Sequence, residues 1–513
     1  MDSLAVNRLF RQLASHRFCT TRYQQNLLRS TAPIAARRTP TTKSRSQSSG
    51  PRRGTPSSRT VKSSVESDWQ QRTDYFPADR TDEFNRYPIV TSDALRTRKE
   101  RPRRTRLLMR DFIEDSLYNP HYGYFSKNAT IFTPGDAFRF HEIKDEPEFQ
   151  RLHDLRYQEF EDKLDEKEGG EFNRTRQLWH TPTELFSPYY GEAIARYMVA
   201  NYKLSLYPYH DLVIYEMGAG NGTLMMNILD YIRDADPDVY ERTKFRIIEV
   251  SSALATMQGN QLIRNADSSG HSDKVEIINK SIFDWDTFVP TPCFFLAMEV
   301  FDNFAHDVIR YDPYTEQPLQ GQVLIDAKGD FFEFYTAELD PVVARYLRVR
   351  DVACQERSFS HPLRSTPRFM RKIRHGLPFA PNLTLPEYVP TRQMHFFDVL
   401  SSYFPAHRLI MSDFHSLPKA VPGYNAPVVQ TRYDRRTIPV STPLVQQGFF
   451  DIFFPTDFGV MEDIYRAITG RLTKVMSHED WLVRWADIEA CEMQSGENAL
   501  LGWYKNASVM VTV

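Results

Sequence analysis

The sequence predicts an α/β fold built on a doubly wound, mostly parallel sheet, and three observations predict it. From residue 212 onward, apolar strand-like runs alternate with helix-like segments, the order of consecutive βαβ units. The run 293–298, Cys-Phe-Phe-Leu-Ala-Met, is apolar throughout, as a strand covered on both faces must be. Residues 213–224, Val-Ile-Tyr-Glu-Met-Gly-Ala-Gly-Asn-Gly-Thr-Leu, place three alternating glycines between an apolar run and an amphipathic stretch. A strand that stops at a glycine turn and opens a helix is where such sheets hold nucleotide-like ligands.

Glycine is required there because a ligand must touch backbone that a Cβ would shield. The spacing selects the ligand. A dinucleotide fingerprint needs a third small residue three places after the second glycine, but Thr223 occupies it, which argues against a NAD-dependent oxidoreductase. Acidic-x-Gly-x-Gly-x-Gly, spelled by Glu216, Gly218, Gly220 and Gly222, instead resembles motif I of class I S-adenosyl-L-methionine (SAM) methyltransferases.

The N-terminal segment has a different composition. Residues 1–62 carry 13 Lys/Arg against one acid, Asp2, a formal +12; with a total of −2, the remainder carries −14. Arginines interleaved with Leu and Phe, and abundant Ser/Thr, read as a mitochondrial transit peptide. A basic tail that binds nucleic acid is the alternative. Residues 63–106 read as a basic linker, with seven Lys/Arg from 96 to 106, and an apolar-periodic helix follows at 107–117.

Residues 142–176 hold twelve acids and seven bases, yet Phe149, Leu152, Leu155, Phe160 and Leu164 recur at helical spacing. They predict an inserted, solvent-facing helix closing at Gly169-Gly170. The ligand-binding core is placed at 211–345. Its strands fall at 212–216, 245–250, 275–279 and 293–298, with helices at 223–232 and 253–263 and an extended connection at 236–241. Further strand candidates are 322–327, 331–336, 408–412 and 508–513. Residues 354–392 are rich in Pro and Arg and show no usable period.

No run reaches the roughly 18 apolar residues of a membrane-spanning helix. Cys19, Cys293, Cys354 and Cys491 are far apart, and the fourteen histidines form no ligand-spaced cluster. Neither a disulfide framework nor a metal site is expected, and a reducing compartment suits this usage.

Acids stand where the parallel strands should emerge. Glu216 closes the first strand, to orient the glycine loop or meet the methionine end of SAM. Glu249 closes the second, where a carboxylate can accept both ribose hydroxyls. Asp284 follows the third and is a candidate for the adenine amino group. Glu299 and Asp302 follow the fourth, at the edge facing the methyl group. Two carboxylates there suit a guanidinium, binding its fork by charge-assisted hydrogen bonds and leaving one nitrogen aimed at the methyl carbon. For Asp302, capping the next helix is the competing role.

Motifs along the chain carry a family resemblance. Leu117-Tyr118-Asn119-Pro120-His121-Tyr122-Gly123-Tyr124-Phe125, Thr181-Pro182-Thr183-Glu184, Tyr190-Gly191-Glu192, the glycine loop, Glu249 with Gln258 downstream, Asp451 with Asp457-Phe458, and Gly502-Trp503-Tyr504-Lys505 occur in order. In this the chain, from residue 107 to its C-terminus, resembles the MidA-like family of mitochondrial arginine methyltransferases. The resemblance implies a class I methyltransferase fold over 107–513, SAM as cofactor, and symmetric dimethylation of arginine. It further implies a core subunit of respiratory complex I as protein partner, in the mitochondrial matrix. Met298 stands where the family has Asn, although Glu299 and Asp302 are kept. A non-catalytic assembly factor that uses the fold to hold a client is the alternative.

Overall fold

The computed structural model describes residues 79–249, 269–364, 366–377, 380–418 and 421–513. Contacts divide the chain into Met1–Asp79 and Arg80–Val513, and every element below belongs to the second unit. The expected transit segment 1–62, the helix at 253–263 and Gln258 lie outside the described residues.

Seven strands form the central sheet: β1 (Leu212–Met217), β2 (Thr243–Glu249), β3 (Val275–Asn279), β4 (Cys293–Met298), β5 (His407–Phe414), β6 (Thr473–Ser477) and β7 (Ala507–Thr512). Their spatial order is β6-β7-β5-β4-β1-β2-β3. The first five are parallel neighbours, while β7 runs antiparallel between β5 and β6. The dinucleotide-binding order 3-2-1-4-5-6 lacks that reversed strand. The α/β class I methyltransferase fold expected from the sequence is present.

Side chains alternate across the sheet as strand geometry dictates. Leu212, Ile214, Phe245, Ile247, Phe294, Leu296 and Ile410 enter one core with the helices Tyr189–Ser205 and Thr223–Ala235. Val213, Tyr215, Ile248, Phe295, Ala297, Leu409 and Met411 enter the other, beneath Pro341–Ala353, Thr391–Tyr403 and Phe458–Thr469. Gly191 makes the first layer thin: a Cβ there would lie 2.5 Å from Asn227 Cβ.

Between β4 and β5 the chain builds most of a second, antiparallel sheet from Asp307–Tyr311, Pro318–Ile325, Phe331–Thr336 and Glu387–Val389, joined by Thr105–Leu108. The strand candidates near 322–327 and 331–336 pair with each other there, outside the central sheet. Arg350 and Glu387, both buried, clamp the helix Pro341–Ala353 to this sheet with an ion pair of 2.6 Å. The connection expected as extended at 236–241 contains a short helix, Pro237–Glu241, opened by proline at its first position.

Two segments differ from expectation in how firmly they pack. Within the expected linker, Phe84 and Leu95 are buried, and Phe84 stacks on Phe334 at 4.4 Å. The inserted helix, Glu146–Lys167, is capped by Asp145 and followed by Gly169 and Gly170 at positive φ. It does not face solvent throughout. Phe149, His153, Glu161 and Asp165 are buried. Arg432 meets Glu161 at 3.0 Å, while Arg176 and Arg435 meet Asp165 at 2.8 and 3.0 Å. Arg176 is close in sequence and Arg432 and Arg435 are distant, and together they offset the cost of burying these acids.

Candidate functional site

β1 ends at the glycine loop. Gly218, Gly220 and Gly222 all have positive φ (73°, 53° and 78°), the left-handed region where only glycine is unstrained. A Cβ on Gly218 would lie 2.9 Å from Val300 Cγ1, and one on Gly220 would lie 2.8 Å from Ile131 Cδ1. The loop is latched from the side: Glu184 accepts from Thr223 Oγ1 (2.7 Å) and Asn221 Nδ2 (3.0 Å). Gly222 then opens the helix Thr223–Ala235, whose first-turn N–H groups carry the positive end of its dipole.

Glu216 closes β1 and is 4% exposed, with Oε2 buried and without a hydrogen-bond partner. Burial, reinforced by the neighbouring Glu249, pushes its carboxyl up to about 8. Glu249 ends β2, half-buried, in register with Asn279 of β3. Asp284 stands apart from this group; it is exposed and pairs with Arg96 at 3.2 Å.

At the end of β4 the chain turns sharply. Glu299 has φ +52°, an uncommon value for a side chain with a Cβ, and its N–H donates to the Ser412 carbonyl of β5 at 2.9 Å. Its Oε1 is buried without a hydrogen-bond partner, as is Oδ1 of Asp302. Burial raises both carboxyls, Asp302 to about 7 and Glu299 well above the usual range with the Asp302 charge adding to it.

Two further acids complete the cluster. Asp413, at the end of β5, accepts from the backbone N–H groups of Phe301 (2.9 Å) and Asp302 (3.1 Å). Asp451 accepts from Asn303 Nδ2 at 3.1 Å, and the Asp302 carbonyl accepts from Phe454 N–H at 2.8 Å. Burial followed by the Asp302 charge raises both well above the ordinary value. Among the described residues, no Lys or Arg forms an ion pair with Glu299, Asp302, Asp413 or Asp451. Burying that much potential negative charge without a counterion is costly, so the cluster is built either to hold protons or to receive a cation.

Tyrosines wall the cluster. Tyr118 donates to the Asn303 carbonyl at 3.3 Å, and its hydroxyl feels Asp302, Asp451 and Glu249. Tyr190 and Tyr504, both buried, feel the Glu299 charge. Sequence reasoning about strand ends missed Asp413, Asp451, Glu184 and these tyrosines. All but Asp413 lie inside the motifs that carry the family resemblance, and Asp413 lies one residue past an expected strand. Among the described residues, no group of three or more His, Cys, Asp or Glu is arranged to hold a metal ion.

A Schizosaccharomyces pombe protein named protein arginine methyltransferase NDUFAF7 homolog, mitochondrial, is 25% identical over 400 residues, covering 75% of this chain and 80% of the relative. Among solved structures, a COG1565 superfamily member from Burkholderia thailandensis bound to S-adenosyl-homocysteine aligns at 14% identity, over 80% of this chain and 88% of that one, with a TM-score of 0.49. A native crystal structure from that superfamily and organism aligns at 16% identity, over 79% and 87%, with a TM-score of 0.45. Residues 193–477 match the family model described as "Putative S-adenosyl-L-methionine-dependent methyltransferase". With more than half of its length inside that match, the chain belongs to this SAM-dependent methyltransferase family, and SAM is its cofactor.

Proposed function

We propose that this methyltransferase modifies a protein arginine to symmetric dimethylarginine, and that its substrate is a core subunit of respiratory complex I in the mitochondrial matrix. The observation that carries the arginine reading is the cluster Glu299, Asp302, Asp413 and Asp451, in which buried carboxyl oxygens lie without a counterion. A planar guanidinium, which stays charged and presents forked N–H donors, is the biological cation that such a set fits best. The S. pombe relative's name supports both arginine and mitochondria. Complex I rests on the family resemblance alone.

SAM fits beside the glycine loop, where Gly218 and Gly220 leave no room for a Cβ and Glu216 Oε2 is buried without a hydrogen-bond partner. Gly218, Gly220 and Gly222 would lie against it, Glu216 would meet its methionine end, and Glu249 would take the ribose. Asp284 would take the adenine amino group only on leaving Arg96. When bound, SAM supplies an electrophilic methyl group. The chain's own residues supply alignment and charge. Glu299 and Asp302 grip the guanidinium, hold one nitrogen toward the methyl-donor wall and accept the proton that it loses. Asp413 and Asp451 fix the turn that presents them. Tyr118, Tyr190 and Tyr504 shield the carboxylates from water, which strengthens their hold on the cation.

The test is product analysis. The protein, labelled SAM and mitochondrial extract from cells lacking it are incubated, and the labelled proteins are hydrolysed. Symmetric dimethylarginine in a complex I subunit is expected. Label in another amino acid would overturn the arginine assignment. Binding of SAM and of a client with no label transferred would establish the assembly-factor reading, which the replacement of the family's Asn by Met298 favours.

A further inference from the structure

Residues 357–386 hold six Lys/Arg and no Asp or Glu. The helix Arg368–His375 lies within this stretch, and its polarity is reversed. An ordinary surface helix buries its apolar stripe and turns its charges to water. Here the buried side chain is Arg371. It pairs with Glu316 at 2.6 Å and donates to the carbonyls of Thr366 (2.7 Å) and Leu363. Arg368 meets the same Glu316 at 3.1 Å. Glu316 sits on the turn between the strands Asp307–Tyr311 and Pro318–Ile325, so the helix is bolted to the second sheet by its cationic side.

At 3.6 residues per turn, Phe369 and Ile373 fall opposite Arg371 with Met370 beside them, Lys372 and Arg374 flank this arc, and Leu377 follows just past the helix end. All four apolar side chains are exposed: Phe369 and Ile373 at 65%, Leu377 at 59%, Met370 at 49%. Lys372 and Arg374 are exposed as well. Tyr314, on the Glu316 turn beside Gly376, is exposed and adds an amphipathic ring at the edge. An outward apolar ridge between cations is the make-up of a helix that lies in a bilayer interface.

We infer that this helix docks the protein on the surface of an anionic phospholipid bilayer. Phe369, Ile373 and Leu377 enter the boundary between headgroups and acyl chains, while Lys372 and Arg374 meet headgroup phosphates. Charge complementarity commits the face to this occupant: a flat anionic plane satisfies cations on both flanks of the ridge at once. The strand Asp307–Tyr311, which starts five residues after Asp302, spans about 17 Å. That strand leads from the Asp302 turn toward the Glu316 turn that holds the helix.

The test is co-flotation of the full chain with vesicles of phosphatidylcholine, with and without cardiolipin. Two variants, Phe369→Ser with Ile373→Ser and Lys372→Glu with Arg374→Glu, keep the basic N-terminal segment constant, and SAM affinity reports that each is folded. The wild type is expected to float with cardiolipin vesicles, less so in high salt, and each variant to partition about tenfold more weakly. Folded variants that float as well as the wild type would overturn the inference. So would a wild type that ignores anionic vesicles, including one whose Phe369/Ile373 face instead cross-links to an acidic protein.

Discussion

Asp413 accepts a hydrogen bond from the backbone N–H of Asp302 at 3.1 Å, so a carboxylate at the end of β5 holds the turn that presents the carboxylate after β4. The Phe301 N–H, bonded to the same oxygen at 2.9 Å, makes this a two-point anchor. Asp413→Ala should therefore lower methyl transfer about a hundredfold, since a displacement of about 1 Å costs that much. SAM affinity should change little, because the anchor does not touch the glycine loop. Calorimetric SAM titration beside initial rates checks the split; equal losses in both would mean that Asp413 acts on the cofactor.

The raised carboxyls set a pH dependence. Asp302, at about 7 without a cation, must be ionised to hold a guanidinium, so transfer should rise with pH through about 7 and level off above it. Stability of the ligand-free protein should move the other way. A carboxyl whose folded pKa is raised stabilises the fold below its unfolded value, near 4, and that contribution is lost as pH climbs through the folded value. Glu299→Gln should thus raise the melting temperature by a few degrees at pH 8 and leave it unchanged near pH 4, as thermal scans of the ligand-free chain at the two pH values would show.

Gly220→Val should weaken SAM binding at least a hundredfold. The residue sits at φ +53° with Ile131 Cδ1 2.8 Å from the Cβ position, so backbone strain and a blocked surface coincide. Adding Ile131→Ala removes the contact but not the blockage, and affinity should stay lost. Recovery of binding in that double variant, read by fluorescence or calorimetric titration, would take the loop out of the cofactor site.

Arg350→Met should destabilise the folded unit by about 3–5 kcal/mol, because Glu387 would remain buried without its 2.6 Å partner. Adding Glu387→Leu should restore most of the loss. Denaturant unfolding of the single and double variants checks this, and a mild single variant would mean that water reaches Glu387.

The parallel half of the central sheet was legible because each strand is a local signal: the buried runs of β1 and β4 and the glycines after β1 announce themselves within a dozen residues. The second sheet was legible only in its strands near 322–327 and 331–336. Its strand Asp307–Tyr311 pairs with Glu387–Val389 almost eighty residues later, and neither shows a period long enough to identify it. Charge misled in the helix Glu146–Lys167, where Glu161 and Asp165 look solvent-bound until Arg432 and Arg435 arrive from the far end of the chain. At the candidate site, the positions of Glu216, Glu249, Glu299 and Asp302 at strand ends were legible in the sequence. Asp413 gives no such sign, since an acid one residue past a strand is ordinary until the fold sets it under Asp302.

We assign Glu299 to the acceptor and not to the cofactor. The direct measurement is methyl transfer from labelled SAM by the wild type and Glu299→Gln, each at saturating SAM confirmed by titration. Unchanged SAM affinity with transfer reduced a thousandfold or more is the predicted result. Full transfer by Glu299→Gln, or a loss explained entirely by weaker SAM binding, would contradict it.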